Sequence, residues 1–349
     1  VNFASDNTGP VHPAIMEAVV AANSGAAMPY GNDDTTRGAR DAVRGLFEAP
    51  DAAVEFVATG SVANALALAC LVKPWDGVFC HRVAHVEEDE CGAPEFYSNA
   101  KLILVDGDHA KMGPEALEAA IREAADRGVH GVQPGAVTLT NVTERGTVYT
   151  LDEIRALAEV AHAHGLPVHL DGARFANACA ALGCSPAEMT WKAGVDAVSF
   201  GGTKNGCMGV EAVVFFDATR GRELELRRKR GGHLFSKHRY LSTQMGAYCQ
   251  GGLWLEMARA ANARMAQLVQ GLARVPGARM AHPVAANLGF FELPRTAHER
   301  AFAAGAQYYT FPGGAMEHAA PDEPVRCRIV CDWSKSPDEV EALLSAWAS

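Results

Sequence analysis

Between about residue 54 and residue 216, short apolar runs rich in Val and Phe alternate with longer Ala/Leu/Glu stretches of helical period. Strands separated by helices cannot be joined by tight turns, so the alternation constrains the chain to an α/β protein with a mainly parallel sheet. The spacing predicts strands at Val54–Val57, Gly77–Cys80, Lys101–Val105, Ala136–Thr140, Leu166–Leu170 and Asp196–Phe200. Helices are expected at Ser61–Leu71 and Leu151–His164, and Ala212–Phe216 is expected to run back antiparallel. Beyond residue 217 helices dominate, first Arg220–Lys229 and then one long helix, Gln244–Gly271. Short strands at Asn287–Leu293 and Arg326–Cys331 and a last helix, Ser336–Trp347, follow. The expected organisation is an N-terminal segment (1–20), a large α/β domain (21–249) and a smaller C-terminal α+β domain (250–349).

The composition narrows the class of function. Of 349 residues, 48% are apolar and 21% charged, the balance of a globular protein long enough to bury a sizeable core. The net charge is −10, and the densest basic run, Arg227–Arg230, is too short for a nucleic-acid footprint, so no nucleic-acid partner is expected. Nine scattered cysteines without a CxxC pair argue against a disulfide framework and for a reducing, cytoplasmic setting. The polar opening Val1–Asn7 and the lack of a bilayer-length apolar run predict neither a leader nor a membrane partner. His162 and His164, two apart near a helix end, face different sides, so no metal site is expected.

Three strand ends stand out, because ligands of open parallel sheets sit beyond the carboxyl ends of the strands. At Val57–Asn64 a strand runs into Gly60-Ser61 and then a helix. Ser61 there can cap the helix while free N–H groups favour a phosphate, although an ordinary Ser-capped helix reads the same way. At His169–Arg174 a buried strand ends on Asp171, which requires a partner such as a protonated ring nitrogen; an Asp–Arg structural pair with Arg174 is the alternative. At Ser199–Gly206 a lysine, Lys204, lies between glycine pairs directly after an apolar strand. Partial burial there makes an amine a better nucleophile, whereas a turn or phosphate-binding lysine is the plainer reading. Together the three are far more specific. Lys204 follows Asp171 by 33 residues, enough for one helix and one strand, which puts the two on neighbouring strand ends.

At these residues the chain resembles the low-specificity L-threonine aldolases, pyridoxal 5'-phosphate (PLP) enzymes of fold type I. The resemblance rests on Ser5-Asp6-Asn7, Tyr30-Gly31-Asn32-Asp33, Thr59-Gly60-Ser61-Val62-Ala63-Asn64, Ala84-His85-Val86-Glu87, Leu170-Asp171-Gly172-Ala173-Arg174 and Gly201-Gly202-Thr203-Lys204-Asn205-Gly206. The stretch Asp89–Phe96 resembles the branch typified by pseudomonad enzymes, and the likeness runs from Phe3 to about Trp333. It implies that Lys204 carries PLP as a Schiff base, Asp171 pairs with the pyridine nitrogen, and Gly60 and Ser61 hold the phosphate. It further implies that His85 stacks on the ring near the substrate hydroxyl, with Asp89 and His130 close to that hydroxyl. Arg174 and Arg328 are implied to bind the substrate carboxylate, and Ser5 to line the substrate side; Arg174 is expected at the cofactor too, where it can reach a phenolic oxygen. Many relatives carry an arginine just past the glycines that here read Gly231-Gly232; in this chain Lys237 is expected to take its place. Sites of this fold are usually built across a dimer interface, which implies a homodimer or homotetramer in which Tyr30 and the 230–240 segment reach a neighbour's site.

The expected reaction is retro-aldol cleavage of L-threonine, L-allo-threonine or related β-hydroxy-α-amino acids, L-phenylserine included, to glycine and an aldehyde, with His85 or His130 taking the hydroxyl proton. A β-eliminating lyase or an aminotransferase on the same scaffold is the alternative. Among the other polar groups, Glu87, Glu88 and Glu90 read as a solvated face from which Asp89 alone turns inward.

Overall fold

The computed structural model describes residues 1–349. Its central sheet has seven strands: β1 (Ala53–Val57), β2 (Asp76–His81), β3 (Lys101–Val105), β4 (Gln133–Thr140), β5 (Val168–Gly172), β6 (Ala197–Gly201) and β7 (Glu211–Phe215). They lie in the order β1-β7-β6-β5-β4-β2-β3, parallel from β6 to β3. Only β7 is reversed, antiparallel to both neighbours. The reason lies in chain length: the link from Gly201 to Glu211 is shorter than the dozen or so residues that a parallel crossover requires. β2, β5, β6 and β7 are buried along their whole length, because helices cover both faces. The helix Gly60–Leu71 crosses from β1 to β2 and buries eight consecutive residues, Ala63–Cys70, so its apolar character runs all the way round.

A second sheet, antiparallel throughout, makes the smaller domain: β8 (Arg279–Met280), β9 (Leu288–Pro294), β10 (Tyr309–Phe311) and β11 (Pro324–Val330), in the order β10-β11-β9-β8. Its core includes Phe291, Ile329, Leu343 and Trp347, together with Phe3 from the other end of the sequence. Phe3 donates its N–H to Gln307 O (2.7 Å), and its carbonyl accepts from Val330 N–H (3.0 Å), so the N-terminal segment is stitched to the small domain. The architecture expected from the alternation is therefore present. No helix is long and apolar enough to cross a membrane.

One expected element divides. The continuous helix Gln244–Gly271 is two helices, Arg239–Cys249 and Leu253–Gly271. The break falls at Gly251 and Gly252, both in the left-handed region (φ 59° and 80°), where glycine alone avoids the Cβ penalty. The second of these helices belongs to both cores: Trp254, Met257 and Ala258 pack in the large one, Met265 and Leu268 in the small one.

Candidate active site

A cavity of about 380 Å³ opens at the carboxyl ends of the parallel strands, bounded by Gly60, Ser61, His85, Asp171, Lys204 and Glu211. Asp171 is the fourth residue of β5, and Lys204 sits in the single 3-10 turn that follows β6, so the two stand on adjacent strand ends. Asp171 is buried and accepts from Ala173 N–H (3.0 Å) and from Asn64 Nδ2 (2.9 Å). Lys204 makes no hydrogen bond or ion pair within the chain, and burial, helped by the Arg174 charge, pushes its amine down. Glu211 accepts from Gly202 N–H (2.9 Å), and burial pushes its carboxyl up to about 7.

The helix Gly60–Leu71 starts without a side-chain cap. This corrects the expectation that Ser61 caps it: the cap position is Thr59, and Gly60 and Ser61 are the first two helical residues. The first internal bond runs from Ala63 N–H to Thr59 O (3.1 Å), which leaves the N–H groups of Gly60, Ser61 and Val62 without a partner, those of Gly60 and Ser61 at the cavity, the arrangement an anion needs. Nothing lies within 4 Å of where a Cβ on Gly60 would stand, so the space in front of this end is open.

His85 opens the short helix His85–Glu88, and its backbone N–H is held by Glu144 Oε1 (2.7 Å). Burial pushes Glu144 up to about 7. The His85 ring bonds through Nδ1 to Glu90 Oε1 (2.8 Å), and this bond raises the imidazole's proton affinity above that of an ordinary histidine. The acidic stretch is the reverse of what its sequence suggests. Glu87, Glu88 and Asp89 are exposed, and Glu90 is the residue turned inward, its side chain fully buried. Asp89 does reach the cavity wall, from the solvent side.

Arg174 and Arg328 adjoin the cavity rather than line it. Arg174 is clamped by the buried Asp6, through Nε to Oδ2 (2.7 Å) and Nη2 to Oδ1 (3.0 Å). Although burial opposes it, the Arg174 and Lys204 charges hold the Asp6 carboxyl below the usual range. Arg328 donates from Nη2 to Ala4 O (3.1 Å) and lies over the Tyr309 and Phe311 rings, and its buried Nε has no partner. Ser5 caps the turn Asp6–Thr8 by accepting from Asn7 N–H (3.1 Å), so from this segment it is Asn7 that borders the cavity.

Besides Ser5, Arg174 and Arg328, which stand next to the pocket without lining it, three expected site residues lie away from it. His130 is exposed in the turn Gly128–His130, which precedes β4. It therefore sits at the amino end of the sheet, grouped with Lys101 and Arg127, whereas the pocket is at the carboxyl ends. Tyr30 is exposed under Lys229 (4.9 Å from Nζ to the ring centre), and Lys237 is exposed close by, since Tyr30 N–H bonds Ser236 O (2.9 Å). Conversely, the sequence assigns no site role to Asp6 and Asn64, which appear only inside quoted motifs, to Glu90, read as solvated, or to Glu144 and Glu211. Two carried a signal: Asn64 is a lone amide inside an apolar helical run, and Glu211 is a carboxylate opening a buried strand.

A free helix end for a phosphate, a carboxylate for a ring nitrogen, an unpaired half-buried amine and an imidazole are the groups that a phosphorylated pyridine aldehyde requires. The buried Asn64 Oδ1 beside them has no partner in the chain. No three His, Cys, Asp or Glu side chains come together as a metal cage.

Comparison with known proteins places the chain in a family. The family described as beta-eliminating lyase matches residues 2–293. The low-specificity L-threonine aldolase of Pseudomonas aeruginosa is 42% identical over 344 residues, covering 98% of this chain and 95% of the relative. That of a further Pseudomonas species is 41% identical over 345 residues, with the same coverage. Among solved structures, Leishmania major threonine aldolase superposes with a TM-score of 0.91 at 27% identity, over 99% of this chain and 98% of that one. Aspartate aminotransferase from Thermus thermophilus shares the fold at a TM-score of 0.70 and 16% identity. With a family match over most of its length and such relatives over nearly all of it, this chain belongs to the beta-eliminating lyase family, in the group of the low-specificity L-threonine aldolases.

Proposed function

We propose that the chain is a PLP-dependent carbon–carbon lyase that cleaves L-threonine, L-allo-threonine and related β-hydroxy-α-amino acids to glycine and an aldehyde. The observation that carries this is the placement of Lys204 and Asp171 on adjacent strand ends facing the free end of the helix Gly60–Leu71. Lys204 would hold the cofactor covalently, Asp171 would keep its ring nitrogen protonated, and the Gly60–Val62 N–H groups would take its phosphate. When bound, the cofactor supplies an electron sink for the pair released as Cα–Cβ breaks.

The remaining steps belong to side chains of the protein. Arg174, aimed by Asp6, and Arg328, whose Nε is free, would take the substrate carboxylate from beside the cavity. Fixing the carboxylate orients the Cα–Cβ bond for cleavage. The ring nitrogen of His85 that faces the pocket accepts the β-hydroxyl proton as that bond breaks, the aldehyde leaves, and a proton returned to Cα completes glycine. Asp89, at the solvent edge, would steer the hydroxyl end.

The same reading places the working unit in a homodimer or homotetramer. In its support, Tyr30 N–H joins Ser236 O, and the two segments so joined expose Met28 and Phe235 as well as Tyr30 and Lys237. Tyr30, Lys237 and His130 would then act on a neighbouring copy's pocket. Nine free cysteines favour a reducing compartment, the cytoplasm.

The test is product analysis on L-threonine, L-allo-threonine, their D isomers and L-phenylserine. Glycine plus an aldehyde from the L substrates is expected. Pyruvate plus ammonia, or a keto acid, would replace this reading with β-elimination or transamination.

A further inference from the structure

Four side chains form one hydrogen-bonded line along the pocket wall. Asn64 Nδ2 reaches Asp171 Oδ2 (2.9 Å) on one side and Glu90 Oε1 (2.8 Å) on the other, and the same Glu90 oxygen lies 2.8 Å from His85 Nδ1. The chemistry of the groups fixes the direction of each bond. The amide nitrogen has two hydrogens, and both are engaged by acids. Glu90 Oε1 therefore accepts from Asn64, and with its remaining lone pair it accepts from His85, so Nδ1 carries the hydrogen. His85 Nε2 is left with the lone pair and makes no bond within the chain, while the ring keeps a third of its surface open (34%). Nothing competes for Glu90: its side chain is fully buried, and Oε2 has no partner.

We propose that Glu90 is a positioning residue that holds His85 as the Nδ1–H tautomer, so that Nε2 is the base presented to the substrate hydroxyl. The proposal rests on the reading of His85 given above and adds the group that makes it a base. When Nε2 takes the proton, Nδ1–H remains bonded to the carboxylate, which stabilises the imidazolium; paired acids behind catalytic histidines act in this way. Asn64 ties this pair to Asp171, so the group that holds the ring nitrogen and the group that orients the base share one amide. Other charges also face His85: Asp171 favours its cation, Lys204 opposes it, Glu144 holds its backbone N–H, and Asp89 lines the same cavity.

Glu90→Leu keeps much of the volume and removes both acceptor oxygens, and it is the decisive variant; a glutamine there could still turn its carbonyl oxygen to Asn64 Nδ2 and His85 Nδ1. Protein carrying 15N-labelled histidine, with the His85 resonances assigned by their loss in His85→Asn, reports the tautomer both with and without cofactor. Wild type is expected as Nδ1–H, and Glu90→Leu as a shift toward Nε2–H. In the cofactor-loaded enzyme kcat is expected to fall about 100-fold or more, with KM and cofactor affinity within about twofold. The acid limb of kcat is expected to move to lower pH, and Glu90→Asp to restore part of the rate. Glu87→Gln, exposed on the same turn, is expected to match wild type. An unchanged tautomer in Glu90→Leu would overturn the proposal, and so would losses confined to folding and cofactor content. A changed tautomer with an undiminished rate would uphold Glu90 as the positioning group and instead remove His85 as the base.

Discussion

Asp6 shows how much a single carboxylate determines at this site. Both of its oxygens hold Arg174, Asn287 Nδ2 also reaches Oδ2 (3.3 Å), and the Lys204 charge lies close enough to act on it. Asp6→Asn should therefore release Arg174, raising KM about tenfold with a smaller change in kcat, and should cost about 3–5 kcal/mol in denaturant unfolding. Its pH signature follows from the direction of the shift. Because the folded state holds the carboxyl below its unfolded value of about 3.9, its contribution is complete above that value and is lost as pH falls through the lower folded value. The variant should accordingly lose less stability than wild type on acidification below about pH 4; parallel acid-unfolding curves would contradict this. At this scale the sequence was partly legible. Lys204 and Asp171 announce themselves as charged residues at the ends of apolar strands. Asp6 does not, since its partner is 168 residues away, and Glu90 is indistinguishable from Glu87 and Glu88 until the turn decides which of them points inward.

Among elements, the helix Gly60–Leu71 makes the strongest statement, because its start offers three unpaired N–H groups and no cap. Ser61→Asp would place a carboxylate there, with opposite effects on two measurable quantities. The cofactor-free protein should gain about 0.5 kcal/mol from the helix dipole. Phosphate-bearing cofactor should bind about tenfold or more weakly, because the added charge repels the phosphate. Equal affinity for both proteins in a spectroscopic titration would mean that the phosphate sits elsewhere. The strands of the large sheet were legible to within a few residues, since burial on both faces leaves a continuous apolar run. The cap was not, because Ser61 and Thr59 are equally suitable by type and only the backbone shows which precedes the helix. The division at Gly251-Gly252 was written in the sequence as adjacent glycines, but the apolar period continues across it and hides the break.

For the molecule as a whole, the pocket lies at the strand ends of the large sheet with Asn7 of the N-terminal segment on its wall, and behind it Asp6 and Ala4 tie that segment to Asn287 and Arg328 of the small domain. That segment pairs with the small domain at Phe3 and clamps a large-domain arginine three residues later, and the helix Leu253–Gly271 runs through both cores. The alternation of strands and helices made the large domain readable. The return of the N-terminus onto the C-terminal sheet was not readable, because that pairing is between backbones and leaves no pattern in side-chain type. The account as a whole depends on the amine of Lys204 being the point of covalent attachment. Borohydride reduction of the PLP-loaded protein, followed by peptide mass mapping, examines that directly. One reduced cofactor per chain, on the peptide containing Lys204 and absent from Lys204→Ala, is the predicted result; an adduct on another lysine, or a yellow, active Lys204→Ala, would contradict it.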